Sequence, residues 1–474
     1  MVNRLGALDA AFLYVEEASL PMHVGSVMVF EPPAEGFDYD SFVAVVGDRI
    51  AGHSRYRQRI REVPGRLDNP VWVDDEHFDI GYHVRRSAIP SPGARSDLED
   101  YVARIMTRPL DRYRPLWEAY FVEGLDGGRF AVVTKAHQAM VDGISAVDLA
   151  HLLLDPDAVP VDDREGQPGS APSDLRLVAD ALLGSVLNPA RVVRGVGAGL
   201  RDVSRTGRVV TGTAGRLVAT LARVGARPAP DSPIKATVGA ARRYVMVETD
   251  LDDYRKVRGR LTRGRYVDDV SINDVILATV AGALRAWMQN RGLPVTATTT
   301  LRVMVPLSIV DGSGDPLTDN AMTACFIDLP IGENTPSMRL HQIAFAMRQQ
   351  IESISVEGVG ATSLASIGGF APPTLHTLGA RLGSAMSRRL FNFVITNVPG
   401  PQQSLQVEGC RLIETYPVMP LGRGQGLAIG LTSYDGKVYY GLTGDRDSMP
   451  DLDLLARSIQ DALAELRSAP RGRA

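Results

Sequence analysis

About a third of the way along the chain, "DPDAVPVDDREGQPGSAPSD" (Asp155 to Asp174) breaks the pattern on either side of it. Proline, glycine, serine and acid crowd this stretch. Such a composition cannot bury an apolar face, so it reads as a surface linker. At 474 residues the chain is also too long for one ordinary core. The break therefore divides it into an N-terminal unit, 1–155, a linker and basic crossover segment, 156–235, and a C-terminal unit, 236–474.

Both flanking units alternate strand and helix signals, which predicts the α/β class. In the first, "HVGSVMVFEP" and "RFAVVTKAHQAM" are rich in β-branched and apolar residues and bounded by glycine or proline, as strands are. Between them, "DLEDYVARIMTRPL" places Leu98, Val102, Ile105 and Met106 at helical spacing behind Asp97, an acid able to cap the helix. In the second, "RRYVMVETDLDDYRKVRGR" reads as a strand into a helix. "SINDVILATVAGALRAWMQNRG" is a long helix with Ile276, Val280, Leu284 and Met288 on one face and Gly292 just past its end. "LRVMVPLSIV", "CFIDLPI", "FNFVITNVPGP", "QGLAIGLTSYDG" and "KVYYGLTGD" follow as strands, the last two around an Asp-Gly hairpin signal. "DLDLLARSIQDALAELRSAP" closes the chain as an amphipathic helix. Repeat periodicity is absent, which argues against a solenoid.

Segment 190–227 is strongly basic: eight arginines, Arg191 to Arg227, stand against Asp202 alone. Valine and leucine lie between them, so the segment fits a solvated helix between domains or a patch touching anionic lipid. Glycines such as Gly195, Gly199 and Gly212 argue against one continuous helix. The chain as a whole has a net charge of −4, which gives no reason to expect nucleic acid as a partner. Apolar content of 45% beside 22% charged residues is that of a globular protein. Cys325 and Cys410 are too few and too separated for a disulfide framework or a metal knuckle, so no metal site is expected, and buried thiols in a reducing compartment are. "MVNRLGALDAAFLYVEE" lacks the order of a signal peptide. No window reaches the ~18 apolar residues of a membrane helix. The expected location is cytoplasmic, with any contact to the inner membrane surface or lipid inclusions made from one side.

The chemistry concentrates in "VVTKAHQAMVDGIS", Val132 to Ser145. A strand delivers His137 and Gln138 to its end, and Asp142-Gly143 then turns the chain toward another helix. Catalytic groups are often placed at such junctions, where a rigid element aims a side chain into a cleft. A histidine there can act as a general base, because its ordinary pKa lies near working pH. It can equally be a histidine hydrogen-bonded within a turn, and the spacing alone does not choose.

The order and spacing of several blocks add a resemblance. They are "LDAAFLYVEEASLPMHVGS", "WVDDEHFDIGYHVRR", "RPLDRYRPLWEAYFVEGLDGGRFAVVTKAHQAMVDGIS", "SINDVILATVAGALR", "ITNVPGPQ" and "SYDGKVYYGLTGDRDSMPDLD". Together they resemble the bacterial wax ester synthase/diacylglycerol acyltransferase family, within the coenzyme A-dependent acyltransferase superfamily that includes condensation domains. The resemblance covers nearly all of the chain outside the basic segment. It implies two acyltransferase-like domains, each a mixed sheet flanked by helices, with a substrate tunnel at their interface. It also implies direct acyl transfer from acyl-CoA, a co-substrate rather than a cofactor, to diacylglycerol or a long-chain alcohol. The family motif is HHxxxDG, and its second histidine is regarded as the general base. Here the first histidine is His137, the second position holds Gln138, and Asp142 and Gly143 close the motif. The resemblance further implies that Asp142 is architectural, that Asn273 and Asp274 line the cleft, and that Asn397 and Gly400 shape a loop closing the tunnel.

A carboxamide has no usable basicity near neutral pH, so Gln138 can hold a hydroxyl but cannot take its proton. General base catalysis supplies ~10²–10⁴ in rate, and positioning two substrates can supply more. Four readings stay open: His137 replaces the base, the enzyme works weakly without one, the chain is a silent paralogue that binds acyl-CoA or lipid, or Gln138 is a recent or engineered change, since His and Gln codons differ by one base. If the chain is extended at His137, adjacent side chains point to opposite faces and His137 aims away from the tunnel. Local roles are available for the other blocks. Pro115 and Trp117 of "RPLWE" fit core packing, Ser271 or Asn273 fits an N-cap, and His23 of "PMHVGS" fits a satisfied strand histidine or a cleft residue. "GVGATS" and "GRGQG" lack the strand-turn-helix order of a dinucleotide site, and G-x-S-x-G does not occur before a helix.

Overall fold

The computed structural model describes residues 3–141, 149–154, 228–261, 270–308, 322–357 and 389–469. Asp142, Gly143, most of the 156–235 linker and the Arg-rich segment 190–227 lie outside the described residues. The first half runs α1 (Ala7–Val15), β1 (His23–Glu31), α2 (Tyr39–Ala51), β2 (Gln58–Arg61), β3 (Val71–Asp74), α3 (Ile80–His83) and β4 (Val84–Ala88). It continues through α4 (Arg95–Thr107), β5 (Trp117–Glu123), β6 (Phe130–His137), α5 (Gln138–Val141) and α6 (Leu149–Leu154). The second half begins with β7 (Arg242–Asp250), α7 (Leu251–Leu261), α8 (Ile272–Asn290), β8 (Leu301–Ser308), β9 (Met322–Leu329) and α9 (Pro336–Glu357). It ends with β10 (Phe393–Pro399), β11 (Gln406–Val407), β12 (Cys410–Val418), β13 (Leu427–Tyr434), β14 (Lys437–Asp445) and α10 (Leu452–Ser468).

Two six-stranded mixed sheets organise the molecule, in the orders β11-β12-β1-β6-β5-β4 and β7-β14-β13-β10-β8-β9. In the first, only β4 and β5 run parallel. In the second, β10 runs parallel to both of its neighbours. Helices cover both sheets, as the α/β pattern predicts. The strand order cuts across the sequence boundary at 236. Residues 406–418 leave the second half for the first sheet, where β12 pairs antiparallel with β1, from Gly25 opposite Val418 to Glu31 opposite Arg411, and β11 pairs with β12. The core of the first lobe accordingly includes Cys410, Leu412 and Tyr416.

Local signals explain most of the elements. The helix α4 buries Leu98, Val102, Ile105 and Met106. Asp97 is not its N-cap. The helix starts earlier, at Arg95, and Asp97 caps backwards from the first turn, accepting the Ala94 N–H at 3.1 Å. Ser271 does cap α8, in a reciprocal box with Asp274. Burial along α8 is wider than one stripe, running from Asp274 through Leu284 on every side, because α9 and α10 pack against it. Asp435 and Gly436 both take positive φ, 44° and 76°, and close the β13–β14 hairpin as a two-residue turn.

The lobes meet where α4 packs on β7 and where β12 passes β14. Glu99 accepts the Met246 N–H at 2.8 Å, and the Tyr244 hydroxyl donates to the Pro417 carbonyl at 3.0 Å. The backbones approach so closely that a Cβ on Gly441 would lie 1.7 Å from the Pro417 oxygen. Glycine is required there by space.

Candidate active site

The strand β6 ends at His137, three residues before the end of the expected strand at Met140. His137 is its last member, opposite His23 at the start of β1, and Gln138 already begins a helical turn. Two carbonyls fix this junction. Leu116 accepts the His137 N–H at 2.9 Å, and Met22 accepts the Gln138 N–H at 2.8 Å. The "RPLW" and "PMHVGS" blocks therefore act through their backbones, pinning the strand end from both sides. Trp117 is also a packing residue, fully buried with its indole N–H on the Tyr56 carbonyl at 2.8 Å.

Glu16, at the C-cap of α1, reaches into the same place. Its Oε1 lies 3.6 Å from the Nε2 atoms of both His23 and His137. It also accepts the Met22 N–H at 3.2 Å, while Oε2 takes Arg112 at 2.6 Å. The hydrogen bonds assign the tautomers. The Ala139 N–H donates to His137 Nδ1 at 3.0 Å, so a neutral His137 carries its proton on Nε2, toward Glu16. His23 donates from Nδ1 to the Met106 carbonyl at 2.9 Å, which leaves Nε2 with a lone pair. Burial pushes the Glu16 carboxyl up, but His137, Arg112 and His23 more than reverse this and hold it well below the usual carboxylate range. Burial, followed by the charge of Lys135, brings His23 down to about 3. His23 is thus half satisfied.

Lys135 and Glu118 extend the polar frame along the same face. Lys135 is fully buried and donates to the Arg108 carbonyl at 2.6 Å and to Glu118 at 3.3 Å. Glu118 also holds Arg85 at 2.9 Å and the Tyr120 hydroxyl at 2.6 Å. Periodicity did not single out Glu16, Arg112, Glu118 or Lys135. The available signal was a charged residue inside an otherwise apolar strand run, as in "FAVVTKAH".

A second group forms in the other lobe. Asn397, near the end of β10, donates to Asn273 at the start of α8, Nδ2 to Oδ1 at 3.2 Å. Asp274 beside it accepts the Ser271 N–H and hydroxyl, both at 2.8 Å. Gly400 donates its N–H to the Ser433 carbonyl, and a Cβ there would come within 2.5 Å of that oxygen. The structure joins Asn273 to Asn397. His137 belongs to the separate group around Glu16. Among the described residues, no three His, Cys, Asp or Glu side chains are grouped to hold a metal ion. Both cysteines are buried thiols, pushed up to about 11 by desolvation.

Two mixed sheets, with a strand pair lent by the second half to the first, define a two-lobed coenzyme A-dependent acyltransferase fold. The starter condensation domain of rhizomide synthetase RzmA shares it, with a TM-score of 0.56 over 99% of this chain and 95% of that one at 12% identity. The wax ester synthase/diacylglycerol acyltransferase from Marinobacter aquaeolei VT8 is more similar, with a TM-score of 0.65, 26% identity and 98% of each chain covered. Residues 5–276 match the wax ester synthase/diacylglycerol acyltransferase catalytic domain, and residues 318–467 match the C-terminal domain of that family. The chain belongs to this family of acyltransferases. Among its relatives in Mycobacterium tuberculosis, one named "Probable diacyglycerol O-acyltransferase tgs1" is 31% identical over 98% of this chain and 96% of its own length. Another, named "Probable diacyglycerol O-acyltransferase tgs3", is 42% identical over 55% of this chain and 97% of its own.

Proposed function

We propose that the chain transfers a long-chain acyl group from acyl-CoA to diacylglycerol, making triacylglycerol, and to long-chain alcohols, making wax esters. The observation that carries this reading is the pinned junction at His137 and Gln138, in a chain that belongs to this acyltransferase family. Transfer is direct. The acceptor oxygen attacks the thioester carbonyl, the carbon–sulfur bond breaks, and the hydroxyl proton ends on the CoA thiol. Acyl-CoA is a co-substrate, and the reaction as proposed needs no cofactor.

His137 acts in this scheme as a positioning residue, because Ala139 and Glu16 face its two ring nitrogens. Gln138 holds the acceptor hydroxyl without taking its proton, and the rate rests on bringing the substrates together. Asp142 and Gly143 keep, in this reading, the architectural role that the family motif implies. Asn273, Asp274, Asn397 and Gly400 shape the cleft, a role supported by the Asn273–Asn397 bond. Contact with a membrane or lipid droplet through segment 190–227 belongs to the proposal on its charge pattern. Among the described residues, no helix is long and apolar enough to cross a membrane.

The test is transfer of a labelled palmitoyl group from its CoA thioester to diacylglycerol and to hexadecanol. Wild type should turn over slowly, and Gln138→His should raise kcat by ~10²–10⁴, the usual worth of a general base. Silence of both proteins with both acceptors would sink the reading. Abolition by His137→Ala of all turnover, in a protein that still folds, would instead make His137 the base.

A further inference from the structure

Loop 108–116, which links α4 to β5, runs along the end of the first sheet where His137 sits. It is tied to the site at three points: the Arg108 carbonyl accepts Lys135, Arg112 donates to Leu13 and Glu16, and the Leu116 carbonyl holds the His137 N–H. Its middle is a fixed turn. The Asp111 side chain accepts the Tyr113 N–H at 2.9 Å, and the Asp111 carbonyl accepts the Arg114 N–H at 3.2 Å. Tyr113 therefore stands at the tip, 82% exposed.

One exposed aromatic means little by itself, but this one is set among arginines. Segment 104–118 carries four of them against Asp111 and Glu118, in a chain whose net charge is −4. Glu118 is turned inward to Lys135 and Arg85, and Arg112 is occupied by Glu16. Arg108 is exposed, and among the described residues it hydrogen-bonds only through its backbone. Arg114 lies with its guanidinium 4.0 Å over the Tyr82 ring, and Asp111, 3.9 Å away, is too far for a hydrogen bond. A stacked guanidinium keeps its donor edge, a fork that matches phosphate oxygens. Cations beside a flat exposed ring are what a nucleotide needs, for its phosphates and for its base. The reach also fits. Three Cα steps to Leu116, the hydrogen bond to His137 and one more step place Tyr113 at most about 20 Å from Gln138. The pantetheine arm of CoA is as long as about five extended residues, roughly 17 Å, so it links such a loop to the reacting thioester.

We propose that loop 108–114 docks the nucleotide end of acyl-CoA, with Arg108 and Arg114 on its phosphates and the Tyr113 ring against its adenine. The inference rests on the acyl-CoA donor function proposed above and names the residues that hold the donor's far end. The thioester is then delivered to Gln138 along the same loop that fixes the strand end. An anionic lipid headgroup offers the phosphate but no base, so Tyr113 separates the two.

Calorimetric binding of free CoA to the full chain tests this without turnover, and the exposure of Tyr113 and Arg108 lets their variants fold. Tyr113→Ala should weaken binding about tenfold, the worth of one base–aromatic stack, and Tyr113→Phe should restore it. Arg108→Gln should weaken it by a similar factor, more at low salt than at high. In palmitoyl transfer to hexadecanol, Tyr113→Ala and Arg108→Gln should each raise the palmitoyl-CoA KM about tenfold and leave the hexadecanol KM unchanged. Phosphatidylcholine vesicles containing phosphatidylglycerol supply the phosphate without the base. If Arg108→Gln releases the chain from them while CoA binding and the palmitoyl-CoA KM hold, the loop faces a lipid headgroup and the site is overturned. If wild type transfers acyl groups, but neither CoA binding nor the palmitoyl-CoA KM responds to the variants, the site is overturned and the function stands. If wild type is silent in transfer yet binds CoA through Tyr113 and Arg108, the function fails and the site stands. Absence of CoA binding by a silent wild type overturns both.

Discussion

The two six-stranded sheets share a plan but not an interior. In the second lobe, α8 is buried from Asp274 to Leu284, with the Arg339 guanidinium beside Gly282, and Ser271 and Asp274 serve as its cap. In the first lobe, β6 buries Lys135 and His137, with Glu118 beside them on β5 and Glu16 arriving from α1. Burying ionisable groups is costly unless each finds a partner, and apolar residues at the same sites often give equal or greater stability. A sheet built for packing alone has no use for them. The difference separates a lobe that buries its ionisable groups singly, Arg339 on Glu465 and Asp445 on Gly239 and Ser448, from a lobe whose clustered charges hold the chain at positions 137 and 138.

The contrast can be broken most sharply in α8. Trp287 is fully buried, and Trp287→Ala should cost about 3–5 kcal/mol in denaturant unfolding through the cavity it leaves. Palmitoyl transfer per folded molecule should stay at the wild-type level. A large fall would mean that the second lobe reaches into the chemistry through its core.

Glu16→Gln probes the other lobe and should have a somewhat smaller effect on stability, about 2–3 kcal/mol, because it removes one member of a buried ionic group. Unlike Trp287→Ala, it should also lower transfer per folded molecule, since both histidines lose the carboxylate between them. Its pH dependence follows from the sign of the shift. The folded carboxyl lies below its unfolded value, so its stabilisation is complete above the ordinary carboxylate range and is lost as pH falls. Unfolding at descending pH should show a shallower acid limb in the variant than in wild type.

Glu99 sharpens the comparison at the joint between the lobes, with the smallest effect. Burial, with Asp453 and Asp100 nearby, raises its carboxyl to about 7, against the opposing pull of the Met246 N–H and Arg95. Here the sign is opposite. The folded state holds the proton longer, so the stabilisation is full below the ordinary carboxylate range and is lost as pH rises through about 7. Glu99→Gln keeps an acceptor for Met246 and should be more stable than wild type by about 1–2 kcal/mol at pH 8, allowing for partial exposure. Near pH 4 the two should coincide in thermal unfolding.

Much of this molecule was legible in its sequence. The Ser271 cap, the Asp435-Gly436 turn, the buried face of α4 and the burial of Trp117 each follow from a few neighbouring residues, whose chemistry has one good local solution. The candidate site was legible only in outline. His137 could be placed at a strand end, but the state of its ring could not, because that depends on the Ala139 N–H turning back in α5 and on a carboxylate 121 residues earlier.

By itself, then, the sequence determined where most of the strands and helices lie and that position 138 carries no basic group. Both are written in residue type and spacing. Only the tertiary structure decided that β12 completes the first sheet, that Glu16 stands between His23 and His137, and that loop 108–116 is tied to the strand end at His137. Periodicity records which face of an element is buried, never which partner buries it. Those contacts are made between residues far apart in the chain, so they exist only once both lobes have folded and met.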